Sequence, residues 1–220
     1  LRKFPVKTLK ISIPNFHNIF WRYQQFSNAL ITNNSKRKIR AHKQIAFIEH
    51  NFPRLSKLNK DVQAGKIPLR VTHNDTKFNN ILFDNNDHAL CLIDLDTVMP
   101  GIIHYDFGDA LRNIMSTARE DEPKLKNINL NFEYFQAFCK GYLKIMNKFI
   151  SPLERNYLAI SPAIMALMLG VRFLTDYLEN DQYFPIQFPN QNFHRAKAQL
   201  YITELLLSKE KEMREFIENL

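Results

Sequence analysis

The sequence is short of several things. Cysteine occurs twice, as Cys91 and Cys139, without the spacing of a metal-binding pair. Each sits in an apolar stretch, "ALCLID" and "FQAFCKGYL", which reads as a reduced core thiol of a cytosolic protein. Only 5 glycines are present, a scarcity that argues against a loop-rich or all-β architecture. No apolar run reaches the roughly 20 residues that a bilayer span needs. The longest, Leu158 to Val171, is interrupted by Pro162 and reads as a buried helix. No signal peptide, internal repeat or low-complexity linker is visible. The chain opens on Leu1 rather than Met, and the expectation is a piece of a longer protein.

Acidic excess is also missing. Lys and Arg number 30 against 22 Asp and Glu, a net charge of +8 that favours anionic partners such as nucleotides and phosphorylated products. The one basic cluster, "SKRKIRAHK" (Ser35 to Lys43), has no interleaved aromatics and reads as a solvated helix face, not a nucleic-acid stripe. What is plentiful is apolar area. With 18 Phe, 8 Tyr and 45% hydrophobic residues, the 220 residues suffice for one domain with a real core.

Periodicity then sorts the chain. Residues Leu1 to Asn18 show no clean period and read as extended. Ile19, Phe20, Tyr23, Phe26, Ala29 and Leu30 recur at helical spacing. A second helix is expected over Lys36 to Phe52, with Ser35 as N-cap and Pro53 as its end, and a short third one closed by Gly65. The period changes at "IPLRVTH", "NILFD" and "ALCLIDLD", all strand-like, before helix resumes after Pro100-Gly101. "YDFGDALRNIMSTA" and "NFEYFQAFCKGYLKIMNKF" read as helices, with the aromatic stripe of the second in the core. "SPLE" (Ser151 to Glu154) is a capping box, and Ser161-Pro162 implies either two abutting helices or one kinked helix. A last helix runs from about Asn192 to the end. The fold class expected is α+β, mostly helical, with a small β-hairpin insert.

Four polar residues mark that insert. With a turn near Asn86 and Asp87, antiparallel pairing brings Asn80 opposite Ile93 or Asp94. An amide oxygen beside a carboxylate suits a hard divalent cation; Mg²⁺ commonly takes one or two protein oxygens, with water and phosphate supplying the rest. Strand alternation puts Asp96 on the same face as Asp94, a candidate to share the ion or its waters. Asp75, in the preceding turn, is placed to orient an acceptor hydroxyl, and His73 to brace that turn. Phosphoryl transfer asks for positioning more than for a strong base.

The order His73, Asp75, Asn80, hairpin, Ile93-Asp94 resembles the catalytic loop and metal-binding aspartate of the aminoglycoside phosphotransferase and choline kinase superfamily, protein-kinase-like enzymes of small molecules. That resemblance implies Asp75 as catalytic base, His73 as brace, and Asn80 and Asp94 as Mg²⁺ ligands at the phosphates of ATP. It also implies Asp109 as a later aspartate bonded back to the catalytic loop. "THNDTKFNNILFD", "LCLIDLDTVMPG", "YDFGDALR" and "RFLTDYLENDQYF", in that order, are similar to the N-acetylhexosamine 1-kinase branch, over most of the chain from about Phe16. "DFG" at Asp106 lies past Pro100-Gly101, too far along to be the hairpin partner of Asn80, so the metal is assigned to Asp94.

Nothing ahead of His73 reads as a nucleotide-covering sheet with its phosphate lysine. Residues 1–220 therefore resemble the C-terminal lobe alone, inactive without a missing N-terminal lobe. Arg172 and Asp176, one helical turn apart, are either an internal ion pair or part of an acceptor-sugar site. The resemblance favours Arg172 and Tyr183 at such a site. The activity implied is ATP- and Mg²⁺-dependent phosphorylation of the anomeric hydroxyl of an N-acetylhexosamine, in the cytoplasm. Rival readings are another acceptor (aminoglycoside, choline, homoserine, another sugar) or a non-catalytic binding lobe.

Overall fold

The helix-period stretches ahead of Gly65 fold as helices. A computed structural model describes residues 5–32 and 36–220. In it α1 spans Ile19–Thr32, α2 Lys36–Arg40, α3 His42–Leu55 and α4 Lys57–Gln63. The helix expected over Lys36 to Phe52 is thus two, broken at Ala41, and its Ser35 cap lies outside the described residues. Pro53 sits inside the last turn of α3 instead of ending it. Pro53 has no N–H to give the carbonyl four residues back, and the fully buried Leu55 beyond it anchors the turn. Gly65 closes the segment in the left-handed region, at φ +70°.

Four short strands follow, β1 (Arg70–Thr72), β2 (Ile81–Phe83), β3 (Ala89–Leu92) and β4 (Met99–Gly101). β2 and β3 form the expected hairpin, with Ile81 opposite Leu92 and Leu82 opposite Cys91, before the register shifts at Phe83. Both faces of this ribbon are open, so Cys91 is exposed, contrary to the core position expected of it, whereas Cys139 is buried. β4 is a strand the sequence hid behind Pro100 and Gly101. It pairs antiparallel with β1, Arg70 opposite Gly101 and Thr72 opposite Met99, in a two-stranded ribbon where an edge proline is tolerated. Gly101 is required by proximity, since a Cβ there would lie 2.2 Å from Thr72 Oγ1.

The remainder is helical: α5 (Ile103–Met115), α6 (Phe132–Met146), α7 (Pro152–Leu158), α8 (Ser161–Leu178) and α9 (Gln191–Glu218). Asn131 caps α6 through the N–H groups of Glu133 and Tyr134, and Ser151 with Glu154 forms the capping box of α7. The Ser161-Pro162 device resolves as two helices, α7 and α8, bent by 59°. α8 is buried on nearly every face, packed by α1, α5 and α9, and forms the centre of the core. Gly108 lets α5 settle against its start, because a Cβ there would lie 2.5 Å from the Ser161 carbonyl oxygen. Among the described residues no single helix is long and apolar enough to cross a membrane.

Candidate active site

The turn after β1 is held from three directions. Asn74 takes a left-handed conformation, φ 64°, which Asn tolerates better than most residues. Its Nδ2 donates to the carbonyls of Thr72 (3.3 Å) and Thr97 (3.0 Å), and its Oδ1 accepts from the Thr72 hydroxyl at 3.1 Å. From α5, the Asp106 carboxylate receives the backbone N–H of His73 at 2.8 Å and of Asn74 at 2.7 Å. Its carbonyl accepts the Thr76 hydroxyl. Burial pushes the Asp106 carboxyl up to about 6, and the two N–H bonds from His73 and Asn74 oppose that rise. From the N-terminal segment, His17 Nε2 donates to the Asn74 carbonyl at 2.8 Å. Burial lowers this imidazole to about 4, so it stays neutral near pH 7.

Asp106, not Asp109, is therefore the aspartate bonded back to the turn. Sequence spacing could not separate the two, because both fall on α5 and only its packing against β1 decides which one reaches the loop. The Asp109 carboxylate points instead to Arg112, with Oδ1 2.8 Å from Nε and 2.6 Å from Nη2.

Asp75 follows this anchored turn and is tied to the hairpin by Asn80. The Asn80 amide donates to the Asp75 carbonyl at 2.8 Å and to its carboxylate at 3.1 Å. The Asn80 carbonyl accepts the N–H of Ile93 at 2.9 Å, extending the hairpin ladder one step beyond Leu92. His73 Nε2 donates to the Ile93 carbonyl, and Thr97 Oγ1 donates to the His73 carbonyl at 2.6 Å. Asp94 directly follows the Ile93 that Asn80 and His73 hold. It sits at φ 59°, ahead of a 3₁₀ turn over Leu95–Thr97, and its side chain caps nothing. Because the strand stops at Leu92, the alternation expected to align Asp96 with Asp94 does not apply; Asp96 is in the first turn of that 3₁₀ segment.

Asp75 borders a cavity of about 330 Å³ between this turn, α5, α8 and α9. That size suits a small molecule at the lower end of ligand pockets. Its charges are paired with one exception. Lys77 lies 3.1 Å from Asp75, Arg112 2.6 Å from Asp109, and Arg195 4.0 Å from Glu120. Arg172, on α8, has no carboxylate partner among the described residues, and the ion pair with Asp176 is not made. Its guanidinium lies over the rings of Phe16 and Phe184, and burial lowers its pKa while the Tyr183 phenol beside it opposes that change. Arg172 also lines an adjoining cleft with Arg22, Asp176 and Tyr183. There the Asp176 carboxylate is used to hold the loop, accepting the N–H of Tyr183 (2.7 Å) and of Phe184 (2.9 Å) and the Asn192 amide (2.8 Å). Tyr183 itself is largely exposed.

The sequence model of the phosphotransferase enzyme family matches residues 14–142. The chain belongs to that family. For a phosphotransferase, the matched span holds the turn, the hairpin and both aspartates of α5, and it stops before Arg172, Asp176 and Tyr183. Among the described residues of this phosphotransferase no three His, Cys, Asp or Glu form a ready metal cluster. The donor set still fits a hard cation that keeps most of its waters. Asn80 Oδ1 and the exposed carboxylates of Asp94 and Asp96 have no hydrogen-bond partner among the described residues, and all are oxygens. His17, Asn74, Asp106 and Arg195, which anchor the turn or line the cavity, carry no expectation in the sequence as site residues. Only Asp106 carried a signal, in a "DFG" set aside as a metal motif.

Proposed function

We propose that this chain provides the metal- and acceptor-binding half of an ATP- and Mg²⁺-dependent kinase whose acceptor is the anomeric hydroxyl of an N-acetylhexosamine. The observation that carries this reading is Asp75, held by Asn80 at the edge of a small cavity with one cation in excess. Asp75 orients the acceptor hydroxyl and takes its proton as the bond to phosphorus forms. Asn80 and Asp94 would hold Mg²⁺, with Asp96 close by. When bound, the ion neutralises charge on the transferring phosphoryl group. His73, Asn74 and Asp106 keep the turn from yielding under that load.

Family membership supports the donor chemistry, since its kinases use ATP and Mg²⁺ in general. The acceptor rests on cavity size, on its charge and on the likeness of the four motifs. Nucleotide clamping is assigned to a lobe beyond these residues, because the described residues hold no glycine-rich phosphate loop. An ATP donor and two free thiols favour the cytoplasm.

The test is turnover of the full-length protein with labelled ATP over a panel of N-acetylhexosamines, other sugars, choline, homoserine and an aminoglycoside. N-acetylhexosamines should lead the panel, and Asp75→Asn should lower kcat at least 1,000-fold while leaving the melting temperature within a few degrees. A variant that keeps most of its rate removes Asp75 from this role.

A further inference from the structure

Charge is distributed unevenly along this chain. The residues before Glu49 include ten Lys and Arg and no Asp or Glu; from Glu49 onward, 20 cations face 22 acids. The fold gathers part of that excess at one corner. Lys38 donates to the Leu30 carbonyl at 2.8 Å, which pins α2 to the end of α1. Arg40 reaches α9, its guanidinium 5.3 Å from the centre of the Phe193 ring, and Lys197 Nζ lies 5.1 Å from the same ring. Burial and then Arg40 lower the Lys197 pKa, the mark of crowded like charges. Across Lys36, Arg37, Lys38, Arg40, Lys43 and Lys197, one ion pair is made among the described residues, Arg37 with Asp181 at 2.6 Å. The same corner holds the two most exposed large apolar side chains among the described residues, Ile31 at 82% and Ile39 at 74%. Ile31 adjoins Leu30 and Ile39 adjoins Lys38, so the bond between those neighbours brings the isoleucines and the cations together.

We infer that this corner docks on an anionic lipid bilayer, with Ile31 and Ile39 entering the headgroup region and Lys36, Arg40, Lys43 and Lys197 meeting the lipid charges. Cations within a Debye length of an anionic surface are drawn to it, and apolar side chains beside them add a burial that salt does not screen. Nucleic acid would engage the cations but leave both isoleucines in water, so the apolar pair is what favours lipid. A second copy of the chain is disfavoured by the like charge it would bring to the same face. None of these residues belongs to the proposed phosphotransfer site, so docking and turnover are separable.

The experiment is flotation of the full-length protein with vesicles of phosphatidylcholine, alone or with about 30% phosphatidylserine, at low and high salt. Two double variants are compared with the wild type, Ile31→Ser with Ile39→Ser and Lys36→Glu with Lys43→Glu. All four positions are exposed, so both variants should fold. The wild-type protein should float with the anionic vesicles and not with the neutral ones, and salt should weaken the binding. Each double variant should weaken it about tenfold while leaving turnover of soluble substrates unchanged. Failure to bind anionic vesicles, equal binding to neutral ones, or full binding by the isoleucine variant overturns the docking. Preference of the wild type for single-stranded RNA over the vesicles, undiminished in the isoleucine variant, assigns the cations to nucleic acid and overturns it too.

Discussion

Asn80 holds Asp75 twice, by the backbone carbonyl and by the carboxylate, through a single amide nitrogen. One side chain thereby orients the proposed base and keeps its own oxygen for the proposed metal. Asn80→Ala removes both functions. We expect kcat to fall 100-fold or more and stability to drop by about 1 kcal/mol, the net worth of a typical hydrogen bond. Steady-state kinetics with urea denaturation checks both, and an activity loss without a changed Mg²⁺ requirement would separate Asn80 from the metal.

The two aspartates of α5 should behave differently. Asp106→Ala leaves the N–H groups of His73 and Asn74 without an acceptor, at a cost of roughly 2–4 kcal/mol. Activity should fall with it, because the turn that presents Asp75 loosens. Asp109→Asn keeps those turn bonds but leaves the buried Arg112 guanidinium without its carboxylate, at a cost of about 3 kcal/mol. Hydrogen exchange of the His73 and Asn74 N–H groups decides between the roles: protection should fall in Asp106→Ala and hold in Asp109→Asn, and an equal fall would contradict the division.

Two glycines provide a matched pair. At Gly101 an added methyl lies 2.2 Å from Thr72 Oγ1 and 3.0 Å from Asn74 Oδ1, so Gly101→Ala should cost about 1–3 kcal/mol and disturb turnover through Asn74. At Gly141, in α6, the same methyl meets nothing within 4 Å. Gly141→Ala should stabilise by about 0.5–1 kcal/mol without changing kcat. Denaturation midpoints read both signs.

Arg70 and Glu154 link β1 to α7 by a two-pronged ion pair, each contact 3.0 Å, with Glu154 only 1% exposed. Burial works to raise the Glu154 pKa, and bonds from Arg70 and Ser151 outweigh it, holding the carboxyl below its usual range. Arg70→Ala strands that buried charge and should cost about 3 kcal/mol. The double replacement Arg70→Met with Glu154→Leu should recover much of the loss. A double-mutant cycle in urea measures the difference.

Acid should destabilise this protein through its buried imidazoles. His104 is fully buried, its Nε2 donating to the Glu154 carbonyl, and burial lowers it from 6.5 to about 4. Between those values the unfolded chain binds a proton that the folded one does not. Stability is therefore full above pH 6.5 and falls as the pH drops toward 4, by roughly 3 kcal/mol for this group. Asp106 runs the other way: its carboxyl, raised to about 6, adds stability as pH falls from 6 toward 3.8. His104→Gln should flatten the acid limb of a stability-against-pH curve by about one proton. An unchanged slope would mean that His104 does not titrate as described.

Local pattern was enough for much of this molecule. Helix periods, the capping box at Ser151, the glycine stop at Gly65 and the hairpin register that pairs Asn80 with Ile93 all depend on residues near one another in the chain, where side-chain period and turn chemistry carry the information. The tertiary structure alone decided which aspartate of "DFGD" meets the turn and that Met99-Pro100-Gly101 is a strand. It also exposed Cys91 and determined how the cations and carboxylates around Asp75 pair. Those outcomes hang on partners tens of residues apart, such as Asp106 with Asn74, Gly101 with Thr72 and Arg195 with Glu120. Their proximity is set by the pairing of β1 with β4 and by the packing of the helices, which leave no periodic trace in the sequence.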